Sequence, residues 1–332
     1  MKLPWHDEEW QWFFRAQSQH RLPHALLLHG IPGVGKVIFA EGLAQSLLCL
    51  QSTPNYNFCS TDDANICSSC RLIQNRCHSN MLWIEPEKAG QAIKVDQIRD
   101  MIDFCNQSAL QRGYRIVVIN TADDLNIHAA NALLKTLEEP SRDTLIILIS
   151  HQLSQIPQTI ISRCQRLHFK QPHSNEALSW LKNQLIDESF SAELLLNLAQ
   201  GAPLIAIQLQ NNDLLKARNH LFETLLALQQ NNENLISACA KMMSQDLLTM
   251  LDFVFTFMLD LYRLQFGNNH LVNSDYQEQL IKLRDKINHQ HTAKMLTILQ
   301  KIRKQIVLGI NLNKQLVLEN ILIQWCSEKT CF

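Results

Sequence analysis

The sequence predicts an α/β phosphate-loop domain with a cysteine-rich insertion, followed by a small helical domain and a larger all-α domain. Three observations predict it. A glycine-rich loop, Gly30 to Lys36, lies between a short apolar run and a helical pattern. Two later runs, RIVVIN and TLIILIS, are apolar without alternation, as in strands buried on both faces of a parallel sheet. From about residue 171 onward the apolar pattern is helical throughout.

Taken in order, HALLLHG is a short buried strand entering the loop, and KVIFAEGLAQSLLCL is the helix leaving it. A polar, cysteine-rich insertion follows, from about residue 49 to 80. IKVDQIRDMIDFCNQ has helical spacing with Ile93, Ile98 and Ile102 on one face. RIVVIN, Arg115 to Asn120, is the second strand. Asn126 to Glu139 is a helix stopped by Pro140, and Thr144 to Ser150 is the third strand. Strands alternating with helices predict a core with helices on both faces. Near KQPHSNEAL the composition shifts, and Pro172, Ser174 and Asn175 form a linker and helix cap. The expected division is 1–170, 171–210 and 211–332.

Composition narrows the function. The 332 residues are 46% hydrophobic and 18% charged, with a net charge of −1, so a soluble globular protein is expected and a basic nucleic-acid surface is not. MKLPWHDEEWQWFF lacks the order of a signal peptide. The most apolar later run, LLTMLDFVFTFMLDLYRL, contains Asp252 and Asp260 and predicts a buried helix rather than a membrane span. A cytoplasmic protein is expected, and its ten cysteines are then expected as thiols.

The loop fits G-x-x-x-x-G-K through Gly30, Gly33, Gly35 and Lys36. Backbone N–H groups there would cradle phosphate, and Lys36 would reach the outer phosphates. The next residue should carry a hydroxyl for magnesium, and it is Val37. The strand RIVVI should end in an acid that holds magnesium and a base for water; it ends in Asn120 and Thr121, with Asp123 and Asp124 displaced along the turn. Three losses in one site predict little or no hydrolysis. Whether Lys36 binds nucleotide without hydrolysing it stays open.

Cys49, Cys59, Cys67, Cys70 and Cys77 lie within 29 consecutive positions. Cys67-Ser68-Ser69-Cys70 is a C-x-x-C turn able to place two thiolates on one zinc, and Cys49 and Cys59 complete four sulfurs, enough for a closed structural site. Cys77 and His78 compete with Cys59 for the fourth position.

The stretches RLPHALLLHGIPGVGK, CSSC, ANALLKTLEEP (Ala130 to Pro140) and ISRC (Ile161 to Cys164) resemble, in this order, the clamp-loader branch of the AAA+ ATPases. The resemblance is close over the first 170 residues and rests on length and helical character beyond. It implies that Arg163, in the Ser-Arg-Cys motif, is an arginine finger supplied in trans to a neighbouring motor subunit, worth about 10³–10⁵ in rate. It implies a zinc module after the loop helix, although the gap of eight between Cys59 and Cys67 departs from the family's tighter spacing. Motor members carry an arginine where this chain has Gly201-Ala202-Pro203-Leu204, and Ser150 matches their phosphate-sensing position.

The implied protein is a non-hydrolysing subunit of the DNA polymerase III holoenzyme, a DNA-directed DNA polymerase assembly. It would be a stator that joins motor (gamma/tau) subunits and a delta subunit through a helical collar, and it would help load the sliding clamp on primed DNA, touching clamp and DNA mostly indirectly. The alternative is a motor-type clamp-loader ATPase that tolerates Val37 and recruits Asp123 for magnesium. A small-molecule kinase fails for want of magnesium ligands.

Overall fold

The computed structural model describes residues 2–51, 59, 66–88, 90–106, 113–185, 190–211, 214–230, 232–243, 246–307 and 310–327. The chain divides into two compact units, 1–176 and 177–332.

The first unit runs α1 (Asp7–Ser18), β1 (Ala25–His29), α2 (Lys36–Leu48), α3 (Ser68–Gln74), β2 (Met81–Ile84), α4 (Val95–Asn106), β3 (Arg115–Asn120), α5 (Ile127–Glu138), β4 (Thr144–Ser150), α6 (Gln158–Ile161) and β5 (Gln165–His168). The strands form one parallel sheet in the order β2-β3-β4-β1-β5. Successive side chains of a strand point to opposite faces, which explains the apolar runs without alternation. Leu26, Leu28, Ile116, Val118, Leu145 and Ile147 pack into one core with α1 and α2. Ala25, Leu27, Val117, Ile119, Ile146 and Leu148 pack into the other with α4 and α5.

Registry brings the strand ends together. His29 pairs with Ser150, and Asn120 with Ile149, so the loop after β1 lies beside the C-terminal ends of β4 and β3. Asn126 caps α5, its Oδ1 accepting from Ala129 N at 2.8 Å. One expectation is corrected: Ile93 lies outside α4 and bridges Leu125, because its N–H and C=O bond to Asp124 and Asn126 rather than to a helical turn.

The second unit continues from α7 (Ser174–Gln184) with α8 (Ala192–Leu198), α9 (Pro203–Asn211), α10 (Leu214–Gln229), α11 (Leu235–Met242), α12 (Leu247–Gln265), α13 (Gln277–Arg284), α14 (His289–Val307) and α15 (Lys314–Cys326). Two apolar clusters hold it. The first gathers Ala177, Leu181, Leu195, Ala206 and Leu215; the second is built on Phe222, Phe257, Leu261 and Trp325. The apolar run with two aspartates is α12, and its Asp260, fully buried, accepts from Val272 N and from both Asn273 N and Nδ2. Among the described residues no single helix is long and apolar enough to cross a membrane.

Candidate functional site: a phosphate loop, a cysteine cluster and a half-buried arginine

At two loop positions the chain's own packing leaves room only for glycine. Gly30 has φ +147°, and a Cβ there would lie 2.2 Å from the Phe169 carbonyl oxygen, just past β5. Gly35 has φ +100°, and a Cβ would lie 2.2 Å from Leu3 Cδ1 and 2.8 Å from His6 Cε1. The segment before α1 covers this side of the loop. Trp5 Nε1 and His6 Nε2 both donate to the Val34 carbonyl, at 2.9 and 2.8 Å. Burial lowers the His6 pKa to about 4, so the ring is neutral and can donate only through Nε2–H.

Lys36 folds back on its own loop. Its Nζ donates to Gly30 O at 2.6 Å and Ile31 O at 2.7 Å, and the residue is 3% exposed. Burial lowers its pKa to about 8, opposed by the charge of Asp123. His29 stacks on His168 with ring centroids 4.7 Å apart. Burial, then His168, Arg166 and Lys36, hold the His29 imidazole below its ordinary pKa.

The positions that would handle magnesium and water are engaged elsewhere. Asn120 Nδ2 donates to Glu85 Oε1 at 3.0 Å, and Glu85 is itself paired with Arg76. Thr121 Oγ1 donates to Asp124 Oδ2 at 2.7 Å. Asp123 accepts from Ser150 Oγ at 2.6 Å and from His151 N at 2.6 Å. Both Asp123 oxygens are already held by the end of β4 and the turn after it. Lys36 is thus bonded to Gly30, and Asp123 to Ser150, within the chain itself.

The cysteines gather at the end of α2. The Sγ atoms of Cys49, Cys59, Cys67 and Cys70 all lie within 4.8 Å of one another, an arrangement that can hold one metal ion. Cys67 caps α3: its sulfur accepts from Cys70 N. Burial pushes the Cys67 thiol up, but bonds from the Cys70 and Leu50 backbone and from the sulfurs of Cys70 and Cys49 outweigh it, leaving a pKa of about 6. Burial raises Cys49 and Cys70. The competitors are placed otherwise. His78 Nδ1 accepts from Asn80 N, and Ser69, whose hydroxyl donates to Leu48 O, leaves Nε2–H of His78 to donate to Ser69 Oγ at 3.1 Å. Cys77 is exposed, its thiol on Asn75 O.

Arg163 follows α6 on the same unit, its side chain 34% exposed. Its Nε donates to Glu138 Oε1 at 2.9 Å, Nη2 donates to the same oxygen, and Nη1 donates to Thr159 O at 2.9 Å. Glu138 belongs to the LLKTLEEP stretch, so the two quoted motifs meet in one ion pair. Neither this pair nor the cover of Leu3, Trp5 and His6 was inferred from the sequence. Both join residues more than twenty positions apart, which local periodicity does not reach.

A five-stranded parallel α/β unit with a phosphate loop, followed by a helical unit, defines an AAA+-like protein, here with Val37, Asn120 and Thr121 at the positions where magnesium and water residues are usual. The family model described as "DNA polymerase III, delta subunit" matches residues 5–173, and the one described as "DNA polymerase III, delta subunit, C terminal" matches residues 212–327. The DNA polymerase III subunit delta' of Pseudomonas aeruginosa is 34% identical over 327 residues, covering 98% of this chain and 97% of the relative. Those of Yersinia pestis and Escherichia coli K12 are 29% and 27% identical, each over 97% of this chain and 94% of the relative. The chain belongs to the delta prime family of DNA polymerase III subunits.

Proposed function

We propose that the chain is the stator of a clamp loader: it hydrolyses no ATP itself, completes a neighbouring motor subunit's site through Arg163, and takes part in loading a sliding clamp on primed DNA in the cytoplasm. The observation that carries this is the engagement of every would-be catalytic group. Lys36 is held by Gly30 and Ile31, Asn120 holds Glu85, and Asp123 holds Ser150, while Arg163 stays partly open to solvent. The partners are motor (gamma/tau) subunits and a delta subunit. Clamp and DNA are met mostly through them, in keeping with the net charge of −1.

The metal is a structural zinc on Cys49, Cys59, Cys67 and Cys70. Tetrahedral thiolates at a Zn–S bond of about 2.3 Å stand roughly 3.8 Å apart, and Cys49 Sγ lies 3.8 Å from Cys67 Sγ. Four sulfurs leave no open position, so the metal supplies no chemistry and fixes the end of α2 to α3. Residues 1–170 are the ATPase-like domain, with the zinc module at about 49–80; 171–210 form a lid and 211–332 a collar. The separate clusters around Leu195 and Phe257 support a division between lid and collar, with Leu215 packing in the lid cluster.

ATP turnover by motor subunits reconstituted with this chain tests the proposal. Loss of clamp- and DNA-stimulated turnover with Arg163→Ala, and none from the isolated wild-type chain, is expected. Turnover by the chain alone would return the function to a motor using Lys36.

A further inference from the structure

We infer that Glu138 is a positioning residue for the Arg163 guanidinium, an inference that rests on reading Arg163 as a finger for a neighbour's site. The guanidinium is held from two elements. Glu138, the last residue of α5, accepts from both Nε and Nη2 through Oε1, and the Thr159 carbonyl of α6 accepts from Nη1. Ser162 Oγ lies 3.4 Å from Nη1, at the edge of hydrogen-bond range. A guanidinium carries five N–H donors in one plane. Three are engaged strongly here, and the remaining Nη donors are the ones left for a phosphate oxygen.

A long arginine side chain free in solvent would have to be ordered each time it entered a phosphate site. One already clamped by a carboxylate and a helix-end carbonyl is fixed before the encounter, and preorganised donors act most strongly on developing charge. The clamp also explains why the glutamate of LLKTLEEP and the arginine of SRC occur together in this chain. α5 starts at its Asn126 cap, in the turn after β3, and ends at Glu138, so the element that carries the clamp is fixed to the sheet core through Ala129, Ala130, Leu133 and Leu137.

The test uses the full chain reconstituted with motor subunits, clamp and primed DNA, with turnover measured against ATP concentration. Arg163→Ala should abolish most of the stimulated turnover. Glu138→Ala should lower kcat about threefold to fivefold, the scale of an exposed ion pair, with KM for ATP and the yield of assembled complex unchanged. Glu138→Gln, which keeps an acceptor at Oε1, should recover most of the loss. Wild-type kcat in Glu138→Ala, with Arg163→Ala impaired, overturns the positioning role and leaves the finger standing. Full turnover in Arg163→Ala removes the finger and the positioning role with it. A second measurement needs no assembly: exchange of the Arg163 Nε–H with solvent, followed by NMR on the isolated chain, should be several-fold faster in Glu138→Ala. Unchanged exchange would also overturn the clamp.

Discussion

Ser150 Oγ donates to Asp123 Oδ1 at 2.6 Å, and the same carboxylate's charge reaches Lys36. Asp123 ties the end of β4 to the turn after β3, with His151 N on its other oxygen. Asp123→Ala leaves the hydroxyl of Ser150, fully buried, and the His151 amide without their partner. Stability should fall by about 1–3 kcal/mol, read as a shift of the urea midpoint. Val37→Thr, which restores only a hydroxyl, should gain no magnesium-dependent hydrolysis. An unmoved midpoint in Asp123→Ala, with turnover appearing in Val37→Thr, would show that this carboxylate is free for metal.

Gly30→Ala tests whether the loop is architecture. A methyl at φ +147° is strained whatever surrounds it, and here it also meets the Phe169 carbonyl. Backbone strain alone accounts for about 1–3 kcal/mol, and the carbonyl must shift in addition. The expected outcome is a large fall in thermal midpoint in the absence of any nucleotide. A variant as stable as the wild type would mean that this glycine is kept for something other than the chain's own packing.

The parts of this fold legible in the sequence were those with a local signature. RIVVIN and TLIILIS match β3 and β4 at both ends, because burial on both faces leaves an unbroken apolar run. β2 and β5 were not inferred. MLWI is four residues long, and QRLH buries only Leu167, so neither strand carries enough apolar sequence to be distinguished from a loop. At the site, Val37, Asn120 and Thr121 stand at positions fixed by motif spacing, so their chemistry could be argued directly. The fate of Asp123 could not, because its partners Ser150 and His151 lie on a neighbouring strand end 27 and 28 positions away. His78 looked like a ligand from its place beside Cys77. Only its bonds to Ser69 and Asn80 turn it toward the module's interior.

His6 gives the fold an acid-side weakness with a definite sign. The buried ring takes a proton only near pH 4, against 6.5 when unfolded. Between those values the unfolded chain binds more protons, so stability is full above 6.5 and falls as pH drops toward 4. His29, His78 and His151 are lowered too, all by burial first, and add to the same slope. His6→Gln removes one titration while keeping an N–H donor for Val34 O. Between pH 7 and 4.5 the wild type should lose on the order of 2–3 kcal/mol more than the variant, measured as the difference of two urea-unfolding series. Parallel pH profiles would mean that the ring titrates in the fold as it does in the unfolded chain.

Cys70→Ser separates a metal site from four clustered thiols. Cys70 is 2% exposed, its sulfur within 4.8 Å of the other three, on the first turn of a helix whose cap is Cys67. If one zinc joins these sulfurs, its removal frees the end of α2 from α3, so the module should loosen while the sheet, whose cores do not include the four sulfurs, persists. The wild-type chain should carry about one zinc, the number a single four-thiolate site holds. Cys70→Ser should lose it, with faster proteolysis between Cys49 and His78 and an unchanged far-ultraviolet spectrum of the remainder. Cys77→Ser should keep its metal, because that sulfur faces solvent and bonds to Asn75 O. Metal lost in both variants would place Cys77 in the site, and a wild-type chain purified without chelator yet free of zinc would reduce the cluster to a packing feature.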